Sequence, residues 1–251
     1  MSSPDRQQHI LDLLRHVERV DVADLARRLD TSEVTIRRDL DELARLGAAR
    51  RVRGGAVSLV QRGQELPFAV RSGQAGAAKA RIAQAAAGMV SDGEAVIVDT
   101  GTTGVAAAAA LAGRSLTVIA LSMPAAAELW PTPTSVIVPG GSVRPGEGGL
   151  AGSATEQALA GFRVDTLLLT CCGISTEAGI TAFDAAETAV KQAAQRSARR
   201  TILLADAAKF GRSALSVLGD WTTVDVLVTD AGPDVAEVKA FAEAGVQVCH
   251  V

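Results

Sequence analysis

Apolar residues recur along this chain with two different periods, and the change of period divides it. Over the first sixty residues the period is helical. Pro4-Asp5 opens a stretch in which Ile10, Leu13, Leu14 and Val17 fall on one face, and a second helix over 22–29 carries Val22, Leu25, Ala26 and Leu29 as its stripe. Asp30-Thr31-Ser32 makes a tight connection that ends in a good N-cap. The Ser32 hydroxyl accepts from the backbone N–H of Thr35, a donor that a helix start leaves orphaned. The third helix, over 33–46, divides by face. Ile36, Leu40 and Leu43 form the stripe to be buried, while Arg37, Arg38, Asp41 and Arg45 lie opposite with Val34 beside them. Gly47 stops it. AARRVRGGAVSL then alternates as a β-ribbon wing does, bringing Arg50, Arg51 and Arg53.

Residues 61–78 lack an apolar period and carry Gly and Pro, which predicts a linker between a domain over 1–60 and another over 79–251. Beyond it, short continuous apolar runs alternate with Ala-rich helical segments. The runs are EAVIVD (94–99), LTVIAL (116–121), TSVIVP (134–139), DTLLLT (165–170), RTILLAD (200–206) and VDVLVTD (224–230). Helices are expected near 79–91, 103–112, 123–130, 153–161, 184–197 and 233–243. Strands without alternation, separated by crossover helices, predict an α/β domain with a mainly parallel sheet covered on both faces.

In such sheets ligands bind beyond the carboxyl ends of the strands. The first run ends in Asp99-Thr100-Gly101-Thr102-Thr103-Gly104, where glycine, two hydroxyls and a helix start supply the parts of a phosphate cradle. It is neither a Walker motif nor GxGxxG. Gly140 and Gly141 follow the third run. A long loop, CCGISTEAGITAFD, leads into a helix with Asp184, Glu187 and Lys191 on one face. Asp206 and Lys209 follow RTILLAD. Singly, each of these reads as well as a structural cap or a solvent-facing ion-pair stripe. Together, at matching strand ends, they point to a pocket for a small anionic polyol, with hydroxyls and N–H groups on phosphate, carboxylates on sugar hydroxyls and lysines supplying charge.

Composition sharpens this picture in three places. With 48% apolar, 21% charged and 3% aromatic residues and no Tyr, the core must be aliphatic, and disordered or collagen-like classes are excluded. The three cysteines, Cys171, Cys172 and Cys249, form no CxxC, and His9, His16 and His250 have no ligand spacing with them, so reduced thiols, a cytoplasmic setting and no metal are expected. The N-terminus MSSPDRQQ has no apolar h-region and no run reaches about 18 apolar residues, so neither a signal peptide nor a membrane span is expected. The net charge of −3 hides an asymmetry: residues 1–62 hold twelve Arg against ten acids, the remainder thirteen bases against eighteen. A small basic module joined to an acidic one fits a DNA-binding segment, its third helix lying in the major groove.

The stretch VDVADLARRLDTSEVTIRRDLDELARLGAARRVRGGAV resembles the N-terminal signature of the DeoR family of bacterial repressors, most specifically in Thr35-Ile36-Arg37-Arg38-Asp39-Leu40 and in Gly54-Gly55-Ala56. Arg53 stands where many members carry His. The second half resembles the family's sensor domain, similar in fold to ribose-5-phosphate isomerase. Its matching elements are Lys79 through Ile82, the Asp-Thr-Gly-Thr-Thr loop, Pro139-Gly140-Gly141, Gly152, Gly173 to Thr181, Asp184 with Glu187 and Lys191, Asp206 with Lys209-Phe210-Gly211, and Val228-Thr229-Asp230.

The resemblance implies a repressor of a carbohydrate operon, bound to double-stranded DNA through Ser32, Thr35, Arg37, Arg38, Arg50, Arg51 and Arg53. A phosphorylated sugar bound by Asp99, Gly101, Thr102, Thr103, Gly140, Gly141, Asp184, Glu187, Lys191, Asp206 and Lys209 would release it from its operator. One DNA-reading unit per chain implies a homo-oligomer, since two-fold symmetry matches palindromic half-sites. No cofactor is required. The alternative is a sugar-phosphate isomerase-like enzyme with an N-terminal appendage, in which Asp, Glu and Lys do acid/base work. That reading leaves TIRRDL and the arginine wing without a use.

Overall fold

The computed structural model describes residues 3–59 and 65–251, and the chain divides into two compact units after Gln74. The first unit contains α1 (Ser3–His16), β1 (Arg19–Asp21), α2 (Val22–Arg28), α3 (Glu33–Arg45), β2 (Ala49–Val52), β3 (Gly55–Ser58) and α4 (Phe68–Ser72). The three strands form one antiparallel sheet in the order β1-β3-β2, so the wing has a third strand that the sequence pattern did not suggest. Gly55 is obligatory there, because a Cβ would lie 1.9 Å from the Val20 carbonyl oxygen. Three helices and the sheet close on Ile10, Leu11, Leu14, Val20, Leu25, Ile36, Leu40 and Leu43.

Two expectations are corrected by this unit. Val17 lies beyond the end of α1 and is exposed, and Leu11 takes the core position instead. The expected linker is largely folded. Leu66 and Val70 are buried in the first unit's core, α4 is seated by a hydrogen bond from Arg71 Nε to the Leu66 carbonyl (2.8 Å), and the next helix begins at Gly76. Residues 61–64 of that stretch lie outside the described residues.

The second unit runs α5 (Gly76–Gly88), β4 (Ala95–Val98), α6 (Gly101–Leu111), β5 (Thr117–Ala120), α7 (Met123–Leu129), β6 (Ser135–Ile137), β7 (Ser142–Val143), β8 (Leu150–Ala151), α8 (Ser153–Ala160) and β9 (Val164–Thr170). It continues with β10 (Gly173–Ser175), β11 (Gly179–Ala182), α9 (Ala185–Ser197), β12 (Ala198–Leu204), β13 (Ser216–Gly219), β14 (Val226–Thr229), α10 (Ala236–Glu243) and β15 (Gln247–His250). All six apolar runs become strands of one parallel sheet, and β15 adds a seventh, in the order β15-β14-β12-β9-β4-β5-β6.

Alternation explains how the sheet is covered. Ile97, Ile119, Leu167, Leu169, Leu203 and Leu227 face α8, α9 and α10, whereas Val96, Val98, Val118, Leu168, Ile202 and Val228 face α5, α6 and α7. Both faces are buried, which is why each strand reads as an unbroken apolar run. Aliphatic residues fill both layers, with Phe241 and Trp221 stacked edge-on at 4.6 Å. The stretch after β9, expected as a loop, is instead an antiparallel hairpin, β10–β11, extended by β13.

The chain enters the sheet at β4, winds outward through β5 and β6, then returns to β4's other side at β9 and winds the opposite way. The carboxyl ends of β4 and β9 therefore flank the point where strand order reverses, the place where sheets of this kind open a crevice.

Candidate functional site

In the first unit the geometry centres on α3. Ser32 caps it, its Oγ accepting from Thr35 N at 3.2 Å and lying 2.9 Å from Thr35 Oγ1. Ile36, Leu40 and Leu43 are fully buried, and the opposite face is open. Arg38, Arg50 and Arg53 are exposed, as is Arg37, which pairs with Glu33 at 2.9 Å. Arg51 differs from its neighbours. It is half-buried, donates from Nε to Asp41 Oδ1 (2.7 Å) and from Nη1 to the Gly55 carbonyl (2.7 Å), and so braces the wing against α3. One pairing has no counterpart in the sequence reading: Asp39 of α3 is buried and paired with Arg6 of α1.

In the second unit the candidate residues converge at the reversal point. Lys191 of α9 is buried to 1% exposure, and its ammonium pairs with Asp99 at the end of β4 and with Glu187 Oε1 at 3.1 Å. It also reaches Thr100 Oγ1, Thr170 Oγ1 and the Thr170 carbonyl, each at 3.3 Å. Asp99 accepts in addition from Thr170 N (2.9 Å) and Thr170 Oγ1 (3.0 Å), while its buried Oδ1 accepts no hydrogen bond from the described residues. Glu187 accepts from Thr100 Oγ1 (2.8 Å) and pairs with Arg144; Asp184 caps α9 and lies 3.5 Å from the same arginine.

The Glu187–Lys191 side of α9 is therefore largely internal, and the alternative of a solvent-facing ion-pair stripe does not describe it. The reason is charge pairing: a buried lysine is tolerated where carboxylates meet it. Burial pushes the Lys191 ammonium down, but Asp99 and Glu187 outweigh it and hold the group above its ordinary value. Burial pushes Glu187 up, and Lys191 and Arg144 reverse this, leaving it below the usual carboxylate range. Asp99, Glu187 and Lys191 thus form the buried floor of the candidate site, the lysine's charge matched by the two carboxylates.

Above that floor lies the start of α6. Gly101 adopts φ +80°, Thr100 provides no side-chain cap, and the hydroxyls of Thr102 and Thr103 have no partner among the described residues. Gly104 permits close seating, since a Cβ there would stand 2.2 Å from the Asp99 carbonyl oxygen. Unfilled N–H groups and a positive dipole end suit an anion.

Asp206 and Lys209 stand at the end of β12, where buried Asp206 accepts from Ala208 N at 3.0 Å. Cys171 follows the end of β9. Its thiol is pushed up to about 12, by burial above all, while Lys209, Lys191, Asp206 and Asp99 all act on it. Gly140 and Gly141 do not join the cluster directly. Both have positive φ and pack on Thr155, whose Oγ1 donates to the Gly140 carbonyl at 2.8 Å. They aim the β7–β8 hairpin, and that hairpin delivers Arg144. Arg144 and Thr170 were not picked out from sequence, and Thr100 was named only as part of the loop after the first run. A lone cation in the glycine-rich SVRPGEGG, just past a strand end, is the signal that points to Arg144.

Among the described residues no His, Cys, Asp and Glu are grouped to hold a metal ion, and no helix is long and apolar enough to cross a membrane.

Comparison with known proteins agrees with both units. The DeoR-like helix-turn-helix domain matches residues 6–62 and the DeoR C terminal sensor domain residues 74–231. The transcriptional repressor AccR of Agrobacterium fabrum is 36% identical over 234 residues, covering 92% of this chain and 91% of that protein. The glycerol-3-phosphate regulon repressor of Escherichia coli is 31% identical over 250 residues, 99% of each. Among solved structures, ribose 5 phosphate isomerase A from Neisseria gonorrhoeae overlaps 55% of this chain and 54% of its own, at 15% identity and a TM-score of 0.39. With a capped, arginine-faced α3 in one unit, a parallel-sheet sensor fold in the other and relatives matching along nearly the whole length, the chain belongs to the DeoR family of DNA-binding transcriptional repressors.

Proposed function

We propose that this chain represses a carbohydrate operon from the cytoplasm as a homo-oligomer, holding operator DNA through α3 and the wing and releasing it when a phosphorylated sugar or polyol occupies the strand ends of the sensor unit. The observation that carries this reading is the uncapped start of α6 above the Asp99–Lys191 floor. The backbone N–H groups there, the half-buried Thr102 hydroxyl and the buried Thr103 hydroxyl, unpartnered among the described residues, would donate to a phosphate. The open acceptor on Asp99 calls for a donor, since buried polar oxygens are seldom left unpaired, and a ligand hydroxyl or a water meets that need.

The name of the Escherichia coli relative, a glycerol-3-phosphate regulon repressor, favours a small phosphorylated polyol. The protein acts as a regulator and not as a catalyst. An ammonium bound by two carboxylates is not poised to exchange protons near neutral pH, where acid/base catalysts are tuned. A ligand that binds only the folded state raises the melting temperature. Thermal shift against glycerol 3-phosphate, ribose 5-phosphate and fructose 6-phosphate, with the free alcohols beside them, tests the class: phosphorylated members shift the transition and their alcohols do not.

A further inference from the structure

Asp39 is the member of the Thr35–Leu40 block that neither the DNA-facing side nor the apolar stripe of α3 accounts for. It is 3% exposed, a charge set on the buried side of the helix. Its carboxylate accepts from Arg6 Nε and, at 3.1 Å, from Arg6 Nη2, while Ser3 Oγ donates to Oδ1 at 3.0 Å. All three donors belong to α1. On the outer side, Asp41 is tied to Arg51 of the wing through an exposed pair.

Apolar packing is non-directional, so Ile36, Leu40 and Leu43 keep α3 on the core without fixing its rotation. A guanidinium gripping a carboxylate through two nitrogens does fix it, because the fork is planar and the bonds directional. Arg38 precedes Asp39 directly, and Arg37 stands one residue earlier. Any rotation of α3 about its axis that the Arg6–Asp39 grip forbids would swing both arginines across the groove.

We propose that Asp39, gripped by Arg6, is the positioning residue that sets the register of the DNA-reading face, and that it governs which sequence is bound more than how tightly DNA in general is held. Bonds to phosphate come from long side chains that follow a small displacement, whereas bidentate bonds to base edges do not survive one. A chain whose α3 is merely destabilised loses both kinds of binding together, by its unfolded fraction. A chain whose α3 has lost its register loses base reading alone.

The test uses the full chain and two duplexes: one enriched from a random-sequence pool by the parent protein, and one with the same bases shuffled. Both affinities are measured at one salt concentration, with circular dichroism melts to give the folded fraction. For Asp39→Asn and Arg6→Gln the ratio of enriched to shuffled affinity falls about tenfold or more, the discrimination that one bidentate arginine–base pair supplies, while shuffled-duplex affinity stays within about twofold. Asp24→Asn, at the exposed Arg27–Asp24 pair within α2, keeps the ratio. Arg6→Lys retains the charge but not the fork, so it serves if the others fold poorly; its ratio falls partway. Full discrimination in folded Arg6→Lys or Asp39→Asn overturns the proposal, as does an equal loss on both duplexes.

Discussion

Lys191 and Asp99 lie 92 positions apart in sequence, one on α9 and the other at the end of β4, and their side chains form an ion pair with 1% and 0% of their surface exposed. That pair joins a helix of one layer to β4, a strand next to the centre of the sheet, where the strand order reverses. Arg144, paired with Glu187, and Lys209, just past β12, stay partly exposed.

Removing one partner of such a pair strands the other. Lys191→Met keeps most of the side-chain volume but leaves Asp99 and Glu187 buried with too little positive charge. A drop of about 3–5 kcal/mol in unfolding free energy is expected, the usual cost of breaking a buried pair from one side. Urea unfolding checks this, and a change below about 1 kcal/mol would mean the pair is far better hydrated than its burial indicates.

Glu187 gives the fold an acid limit. Its carboxyl titrates lower in the folded chain than in the unfolded one, so the unfolded state binds more protons as pH falls. The stabilisation is fully present above the unfolded value near 4.3 and is lost as pH drops through the lower folded value. Lys191, raised in the folded state, works at the other end, its contribution lost only when pH climbs past the ordinary lysine range near 10.4. Urea midpoints of the parent should therefore fall more steeply below about pH 4 than those of Glu187→Gln. Parallel acid limbs would remove Glu187 from the account.

Arg37 and Arg38 make the contrasting case, since both are exposed opposite the buried stripe. Replacing both by Ala should weaken operator binding by about 1–3 kcal/mol for each base edge no longer read and shift stability by less than about 0.5 kcal/mol. The Glu33 pair given up with Arg37 is exposed and contributes little. Gel shifts at fixed salt decide it, and undiminished affinity would place the reading face elsewhere.

Much of this was legible in the sequence, for physical reasons that also mark where legibility stops. Six strands were readable because both faces of the sheet are covered, which forces runs such as LLL and VIV. β15 was not, because QVCH at the sheet's edge mixes polar and apolar positions. The β10–β11 hairpin is built largely from Gly, Ser, Thr and Glu, and so has the composition of a loop.

Period alone placed a buried face on α1 but admitted Val17 for Leu11, since both fit a helical stripe. In the second unit, the strand-end rule pointed to loops whose residues the structure brings together around Lys191. It could not tell that Lys191 faces inward, because pairing across 92 residues is a tertiary fact, and it passed over Arg144; in the first unit the helical stripe likewise passed over Asp39, since both pair with residues of other elements.

The measurement that bears most directly on the central claim is an effector titration of a preformed protein–DNA complex, parent beside Thr102→Ala/Thr103→Ala. A ligand shifts an equilibrium only through its differential affinity for the two states. Two hydroxyls bonded to a charged phosphate contribute about 1.5–3 kcal/mol each, so their removal should move the releasing concentration upward a hundredfold or more. The account predicts that a phosphorylated sugar or polyol frees the parent from DNA, while the double variant binds the same duplex equally well and stays bound at that concentration. Release of both proteins at one concentration, or of neither by any phosphorylated ligand that shifts the parent's melting, would contradict it.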